Sequence, residues 1–349
     1  MHSSHTDQPE VAVTVIVPTL NEAGFLEPTL QSILAQDYPL SKLEVLVVDG
    51  GSTDGTVEKI IKCAAENRCI RYFDNPETTV PYALNLGISE ARGDVIMRMD
   101  CHSVYPANYI STLVDCLDEL DADNVGGIVR SLPPDDSCQS EAIAVVLSSP
   151  YGVGNASFRI GSATIARVDT VPFGCYPRSV FERIGHYDVS LTRNQDDEFN
   201  ARLRKHGGVI YLIPDVEIQY YTRKSLTRVF RMYYQYGLFK PLANRKSGIL
   251  SSYRQLAPPA LVFALAGSAL LSIAFAKGFI LFIALLMIYA TFLALAAIAC
   301  RVPSARIGTR FFLLLALPTV HLAYGIGYWK GLPALINTRW IASVKGTTR

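Results

Sequence analysis

The chain has 349 residues and a formal net charge of +1, the small difference between 32 Lys plus Arg and 31 Asp plus Glu. All 31 acidic residues fall at or before Glu217 beside 16 basic ones, a net charge of −15, whereas the last 132 residues carry 16 basic residues and no acid. That segregation excludes a single soluble globule with intermixed surface charge, and a half-hydrophobic composition with mean hydropathy +0.22 excludes a disordered or fibrous chain.

Met1 to Glu10 is polar and lacks an apolar core, so no signal peptide is expected there. Val11 to Pro18 (VAVTVIVP) forms a continuous apolar strand, and Asn21-Glu22 followed by Glu27 to Ala35 opens an amphipathic helix. Leu43 to Val48 (LEVLVV) is a second buried strand, ending at Asp49 and the loop to Gly55, with a helix from Thr56. Strand, helix, strand predicts a parallel, doubly wound sheet, which binds ligands at the carboxyl ends of its strands, where Asp49 sits. No GxGxxG follows either strand, which excludes a dinucleotide-binding turn. An acid at that place can accept from a ribose hydroxyl or a uracil imino N–H; it can equally cap a helix beside Ser52 and Thr53.

A third strand, Asp94 to Met99 (DVIMRM), runs into Asp100-Cys101-His102. An acid and a histidine two apart at a strand end can reach one divalent cation, which would bridge the phosphates of a nucleotide diphosphate. Asn194 to Asn200 (NQDDEFN) precedes Ala201 to His206 and Gly207-Gly208, a helix start and a glycine stop. Its carboxylates either cap the helix or, in a sugar-transfer site, one of them removes a proton from an acceptor hydroxyl. Seven cysteines without a CxxC pair read as reduced thiols facing a cytosol rather than a disulfide framework or a zinc site.

From Arg223 to Lys246, basic residues alternate with Phe230, Tyr233, Tyr234, Tyr236 and Phe239, the pattern of an amphipathic helix in a membrane interface. Nucleic acid is excluded as a partner, because the domain before this helix is acidic. Pro259 to Ala276 and Gly278 to Cys300 are uncharged apolar runs of spanning length, and Phe311 to Tyr328 is a weaker third, with Pro318 and His321 inside. Lys240, Arg245, Lys246 and Arg254 place the start of the first span in the cytoplasm, and Arg301, Arg306 and Arg310 do the same for the end of the second. A third full span would put Arg339 and Lys345 outside, against that rule, so the third segment either crosses despite it or is re-entrant.

Five ordered motifs carry a resemblance: VIVPTLNE (Val15 to Glu22), VVDGGSTDGT (Val47 to Thr56), NLGISEARGD (Asn85 to Asp94), MDCH (Met99 to His102) and NQDDEFNARL (Asn194 to Leu203). Together they resemble the family 2 glycosyltransferases of the GT-A fold. GVGNASFRIG (Gly152 to Gly161), VDTVPFGCYPRSVFERIG (Val168 to Gly185) and the Tyr220 to Lys240 segment are similar to the succinoglycan-biosynthesis glucosyltransferases within them.

The resemblance implies an α/β fold, a Rossmann-like, mostly parallel GT-A sheet followed by C-terminal transmembrane helices. The expected organisation is a polar tail (1–10), a cytoplasmic catalytic domain (11–220), an interfacial segment (221–257), two to three membrane helices (258–330; about 259–276, 278–300 and 311–329) and a basic tail (331–349). By position, Pro18, Thr19, Glu22, Asp49, Asn85, Arg92 and Asp100 would bind the nucleotide-sugar, with Asp100 and His102 on Mg²⁺ or Mn²⁺. Asp196 would be the catalytic base; Gln195 replaces the family's usual Glu beside it. Arg223, Arg231 and Gln235 stand where processive relatives carry QxxRW and would meet the acceptor's diphosphate. The late Arg339-Trp340 has no Gln three before the Arg.

The implied activity is inverting transfer of one sugar, glucose from UDP-glucose, in β linkage to a polyprenyl-diphosphate-linked saccharide of exopolysaccharide biosynthesis at the inner membrane. A polyprenyl-phosphate sugar transferase is the nearest rival. A processive synthase would need QxxRW and more spans, and a non-catalytic nucleotide-binding membrane sensor would have no use for the acid at Asp196.

Overall fold

The computed structural model describes residues 11–337. The tail 1–10, Arg339-Trp340 and Lys345 lie outside the described residues. The chain opens with β1 (Val13–Thr19), α1 (Leu26–Leu34), β2 (Leu43–Asp49), α2 (Thr56–Glu66), β3 (Ile70–Asp74), α3 (Val80–Glu90) and β4 (Val95–Arg98). It continues through β5 (Ser103–Val104), α4 (Tyr109–Glu119), β6 (Asn124–Leu132), α5 (Cys138–Leu147), α6 (Pro150–Val153), α7 (Ser157–Ile160), β7 (Ala166–Arg167), β8 (Cys175–Pro177), α8 (Arg178–Ile184), α9 (Gln195–Lys205) and β9 (Ile210–Tyr221). Four long helices end it: α10 (Leu226–Ser247), α11 (Ala257–Ala274), α12 (Ala276–Ala299) and α13 (Ile307–Gly331).

The strands form one nine-stranded mixed sheet in the order β3-β2-β1-β4-β8-β6-β9-β5, with β7 on β9. β1 and β2 are buried at every residue, which is why they read as unbroken apolar runs rather than alternating ones. β3, β2, β1 and β4 are parallel, whereas β8 joins β4 antiparallel. Parallel pairing sets Thr19 opposite Asp49 and Ile16 opposite Arg98. The ends of β1, β2 and β4 therefore converge on one edge of the sheet.

The described chain divides into two compact units, with breaks after Val129, Ile160 and Tyr220. The first is residues up to Val129 with Gly161–Tyr220; the second is Arg130–Ile160 with the chain from Tyr221 on. The segment Arg130–Ile160, expected inside the catalytic domain, packs instead with the C-terminal helices, because α5 is apolar nearly all round and Ile143, Val146 and Leu147 share a core with Leu313, Leu317 and Val320 of α13.

A buried carboxylate fastens this insertion. Glu141 of α5 accepts from Ser304 N–H (2.9 Å), Ser304 Oγ (2.5 Å), Thr309 Oγ1 (2.5 Å) and Arg306 Nη2 (3.1 Å). Burial opposes its charge, but the hydrogen bonds from Ser304 and Thr309 outweigh burial and hold its pKa down at about 2. A depressed carboxyl stabilises the fold fully above its unfolded value near 4.5 and loses that contribution as pH falls through about 2. Glu141→Gln is expected to cost roughly 3 kcal/mol at pH 7. Thermal unfolding in detergent should show the gap to the parent narrowing as pH drops below 4.5; a gap independent of pH would refute the account.

Three helical stretches are long and apolar enough to cross a membrane: Tyr253–Ala274, Ala276–Ala299 and Ile307–Leu335. The segment expected to lie as an interfacial helix is helical, but much of it faces protein. Tyr233, Phe239 and Lys240 of α10 are buried, because glycines of α13 let the two helices pack backbone to backbone. Thr227, Arg228, Phe230 and Arg231 near its start, and Arg245 and Lys246 near its end, are its exposed residues.

Candidate active site

The loops after β1 and β2 are laced together. Asn21 N–H donates to Ser52 Oγ (2.7 Å), Thr53 N–H to Asn21 Oδ1 (2.9 Å) and Glu22 N–H to Thr56 Oγ1 (2.9 Å). Asp49 is wholly buried. Its Oδ2 accepts from the N–H groups of Gly51 (2.9 Å) and Ser52 (2.7 Å), and its Oδ1 from Ser52 Oγ (2.5 Å). These bonds order the loop after β2, while the N-cap of α2 is Gly55, without a side-chain cap. Pro18 and Thr19 close β1 beside Asp49, with Thr19 buried and its carbonyl accepting from Gly50 N–H at 2.8 Å.

Two further residues expected on the nucleotide-sugar hydrogen-bond within the protein. Asn85 is occupied with backbone, donating to Tyr187 O (2.9 Å) and accepting from Tyr187 N–H (3.0 Å), which ties α3 to the loop before α9. Arg92 precedes β4, and its N–H donates to the buried Glu44 (2.5 Å), itself the acceptor of Thr14 Oγ1 (2.6 Å) near the start of β1. In a parallel sheet that is the amino edge, so Arg92 and Asp100 lie at opposite ends of the same strand.

The site itself is built on Arg98, a residue the motifs do not flag. It is the last residue of β4 and is buried. Its Nε and Nη2 donate to the two oxygens of Asp100 (2.6 Å each), and its Nη1 donates to Asp196 Oδ1 (2.8 Å). A buried guanidinium is tolerated only when paired, and here one cation pairs with two acids that are 96 positions apart in the chain. The signal available in the sequence was a single charge inside the apolar strand DVIMRM.

Of the three carboxylates in the first turn of α9, Glu198 turns back to Arg202 (2.8 and 3.1 Å) and is a helix-stabilising pair. Asp196 alone joins the Arg98 node, with about a third of its side chain still open. Burial raises its pKa; Arg98 opposes that rise, and Asp100 and Asp197 add to it. Its Oδ2 has no hydrogen-bond partner among the described residues.

His102 adopts a left-handed backbone (φ 65°) and sets its Nε2 2.5 Å from Glu22 Oε1, with Phe25 edge-on at 4.5 Å. With Nε2 facing that carboxylate, Nδ1 is the ring nitrogen available to a metal. No described residue engages Nδ1, and Glu22 Oε2 is buried without a partner. No group of three or more His, Cys, Asp and Glu among the described residues could hold a metal. The donors at hand are a partly exposed carboxylate, Asp100, and one imidazole nitrogen. So short a set, with both Asp100 oxygens also accepting from Arg98, fits a cation that takes most of its shell from substrate phosphates.

Arg223, Arg231 and Gln235 belong to the second unit. Arg231 is exposed, and Gln235 lies one turn further along α10.

Residues 14–158 match the family model described as Glycosyl transferase family 2. Over 91% of this chain and 94% of its own length, the succinoglycan biosynthesis protein ExoA of Rhizobium meliloti (strain 1021) is 28% identical. The dolichyl N-acetyl-alpha-D-glucosaminyl phosphate 3-beta-D-2,3-diacetamido-2,3-dideoxy-beta-D-glucuronosyltransferase of Methanococcus voltae is 27% identical over 67% of this chain and 74% of that protein. Among solved structures, the mannosyltransferase PcManGT from Pyrobaculum calidifontis, in complex with GDP-Man and Mn²⁺, superposes with a TM-score of 0.56 at 22% identity, covering 94% of this chain and 87% of that one. A mixed sheet with its acids gathered at the strand ends is the GT-A fold, and within it residues 14–158 carry the match to glycosyl transferase family 2.

Proposed function

We propose that the protein is a membrane-bound inverting glycosyltransferase that adds one glucose, from UDP-glucose and in β linkage, to a polyprenyl-diphosphate-linked saccharide of exopolysaccharide biosynthesis. The observation that carries this reading is the Asp196–Arg98–Asp100 node at the carboxyl end of β4. Support for the acceptor class comes from two relatives, one named for succinoglycan biosynthesis and one for a dolichyl-linked sugar phosphate.

In this mechanism Asp196 Oδ2 takes the proton of the acceptor hydroxyl. The hydroxyl oxygen forms its bond to the anomeric carbon as the bond to the donor phosphate breaks, and UDP departs with the electron pair. In-line attack on an α-linked donor yields the β product. Arg98 holds Oδ1 and keeps Oδ2 presented. A divalent cation bound by Asp100 and Nδ1 of His102 would offset the charge that develops on the leaving diphosphate; the structural neighbour was solved with Mn²⁺. Arg223, Arg231 and Gln235 are assigned to the acceptor's diphosphate. The reaction is placed at the cytoplasmic face of the inner membrane, on the positive-inside pattern.

The test is UDP release by purified full-length protein, with UDP-glucose, UDP-galactose and UDP-N-acetylglucosamine, with and without membrane lipid extract. Release is expected with UDP-glucose and lipid extract only, lost in EDTA and restored by Mn²⁺. Equal release without lipid, or full activity in EDTA, would overturn the acceptor and metal assignments respectively.

A further inference from the structure

The three apolar helices are not equivalent. In the two candidate spans Tyr253–Ala274 and Ala276–Ala299, 11% and 6% of the most apolar window is buried within the protein; in Ile307–Leu335 it is 39%, and the mean hydropathy is 1.6 against 1.9 and 2.7. α11 and α12 are joined through the single residue Phe275, with Gly278 set against Leu271, so they form a hairpin. Its turn is at Phe275 and its open end at Pro259 and Cys300.

Both ends of α13 meet that open end. Near its start, Arg310 Nη1 donates to the carbonyls of Ala297 (2.8 Å) and Ile298 (3.3 Å), in the last turn of α12. Near its finish, Trp329 Nε1 donates to Pro259 O (2.8 Å) and its ring stacks on Phe263 at 5.4 Å, at the start of α11. Arg310 and Trp329 are 19 residues apart, about 28 Å of helix. A third parallel span of that length would carry one of these residues to the Phe275 turn, on the far side of a hydrocarbon core about 30 Å thick. Neither goes there. Between them, His321 Nε2 lies 2.8 Å from Tyr151 O on α6, and Thr309 is held by Glu141 on α5. The face of α13 turned away from these partners exposes Ile307, Phe311, Leu314, Leu315 and Ile326. Arg306 and Arg310 stand at one end of this apolar stripe and Lys330 at the other.

We infer that α13 does not cross the bilayer. It lies in the membrane interface across the open end of the α11–α12 hairpin, with its exposed apolar face on lipid and its basic ends at the headgroups. The chain crosses twice, and Asn337 is on the same side of the membrane as Pro259 and Cys300. This removes the conflict with the positive-inside rule that a third span creates.

Epitopes inserted ahead of Val11, after Lys277 and after Asn337 of the full-length chain, one at a time, test it by protease accessibility in sealed vesicles of both orientations. The first and last should be cleaved from one side and the middle from the other. Cleavage at Asn337 from the Lys277 side, or of all three from one side, overturns the inference. The result depends on which sites share a side, so an inverted protein would defeat the cytoplasmic assignment and leave this one standing. As a second measurement without insertions, a genetically encoded nitroxide at Leu315, mid-helix in α13, should report a shallower depth than one at Met287 in α12. Equal depth would overturn it.

Discussion

Asp196→Asn is expected to abolish glycosyl transfer while leaving UDP binding at the parent level. The amide oxygen still accepts from Arg98 Nη1, so the node that joins α9 to β4 survives, and what disappears is the lone pair that takes the acceptor's proton. Loss of a general base lowers turnover by about 10²- to 10⁴-fold. Asp196→Ala should do more, because it strips a buried guanidinium of one of its two anions. Burial raises the pKa of Asp196, so in the parent enzyme the rate should climb with pH through a value above the ordinary aspartate range. That limb should be missing from the residual activity of Asp196→Asn. Measuring kcat against pH and UDP affinity by calorimetry decides the matter: loss of both transfer and binding, or of neither, would show that Asp196 is not the base.

Gly327→Ala is expected to be among the most destabilising changes in the second unit. A Cβ built at Gly327 falls 2.1 Å from the carbonyl oxygen of Tyr234; one at Gly237 falls 2.1 Å from Tyr324 O, and one at Gly331 2.2 Å from Leu238 O. The obstructing atoms are backbone, so no side-chain rotation relieves the clash and α10 and α13 must part. Close glycine contacts of this kind replace hydrophobic driving force where helices meet in apolar surroundings. The expected cost is about 3 kcal/mol, against an intrinsic helix-propensity gain of roughly 1 kcal/mol for Ala over Gly. Gly267→Ala on α11, where nothing lies within 4 Å, carries only the gain. Thermal unfolding in detergent should therefore move down for Gly327→Ala and stay level or rise for Gly267→Ala. If both rise, the packing account is wrong.

The sheet was legible because burial on both faces forces strands such as VTVIVPT and LEVLVV into continuous apolar runs. The same local logic located Asp100, His102 and Asp196, each at the end of an element. Arg92, expected on the nucleotide-sugar from the resemblance, is next to Asp94 in sequence but stands at the opposite edge of the sheet from Asp100, and the carboxylate of Asp49 orders the loop after β2. Arg98 was invisible as a site residue, since a lone charge in a strand gains meaning only from what faces it.

Charge segregation, hydropathy and the order of motifs were written in the chain itself: an acidic α/β half, a basic apolar half, and carboxylates at strand and helix ends. These depend on neighbours within a few residues, and so they survive in a one-dimensional text. Which acids share Arg98, which glycines let α10 touch α13, and where the two ends of α13 come to rest are long-range meetings. They are set by sheet register and helix packing between positions tens of residues apart, and only the tertiary structure decided them.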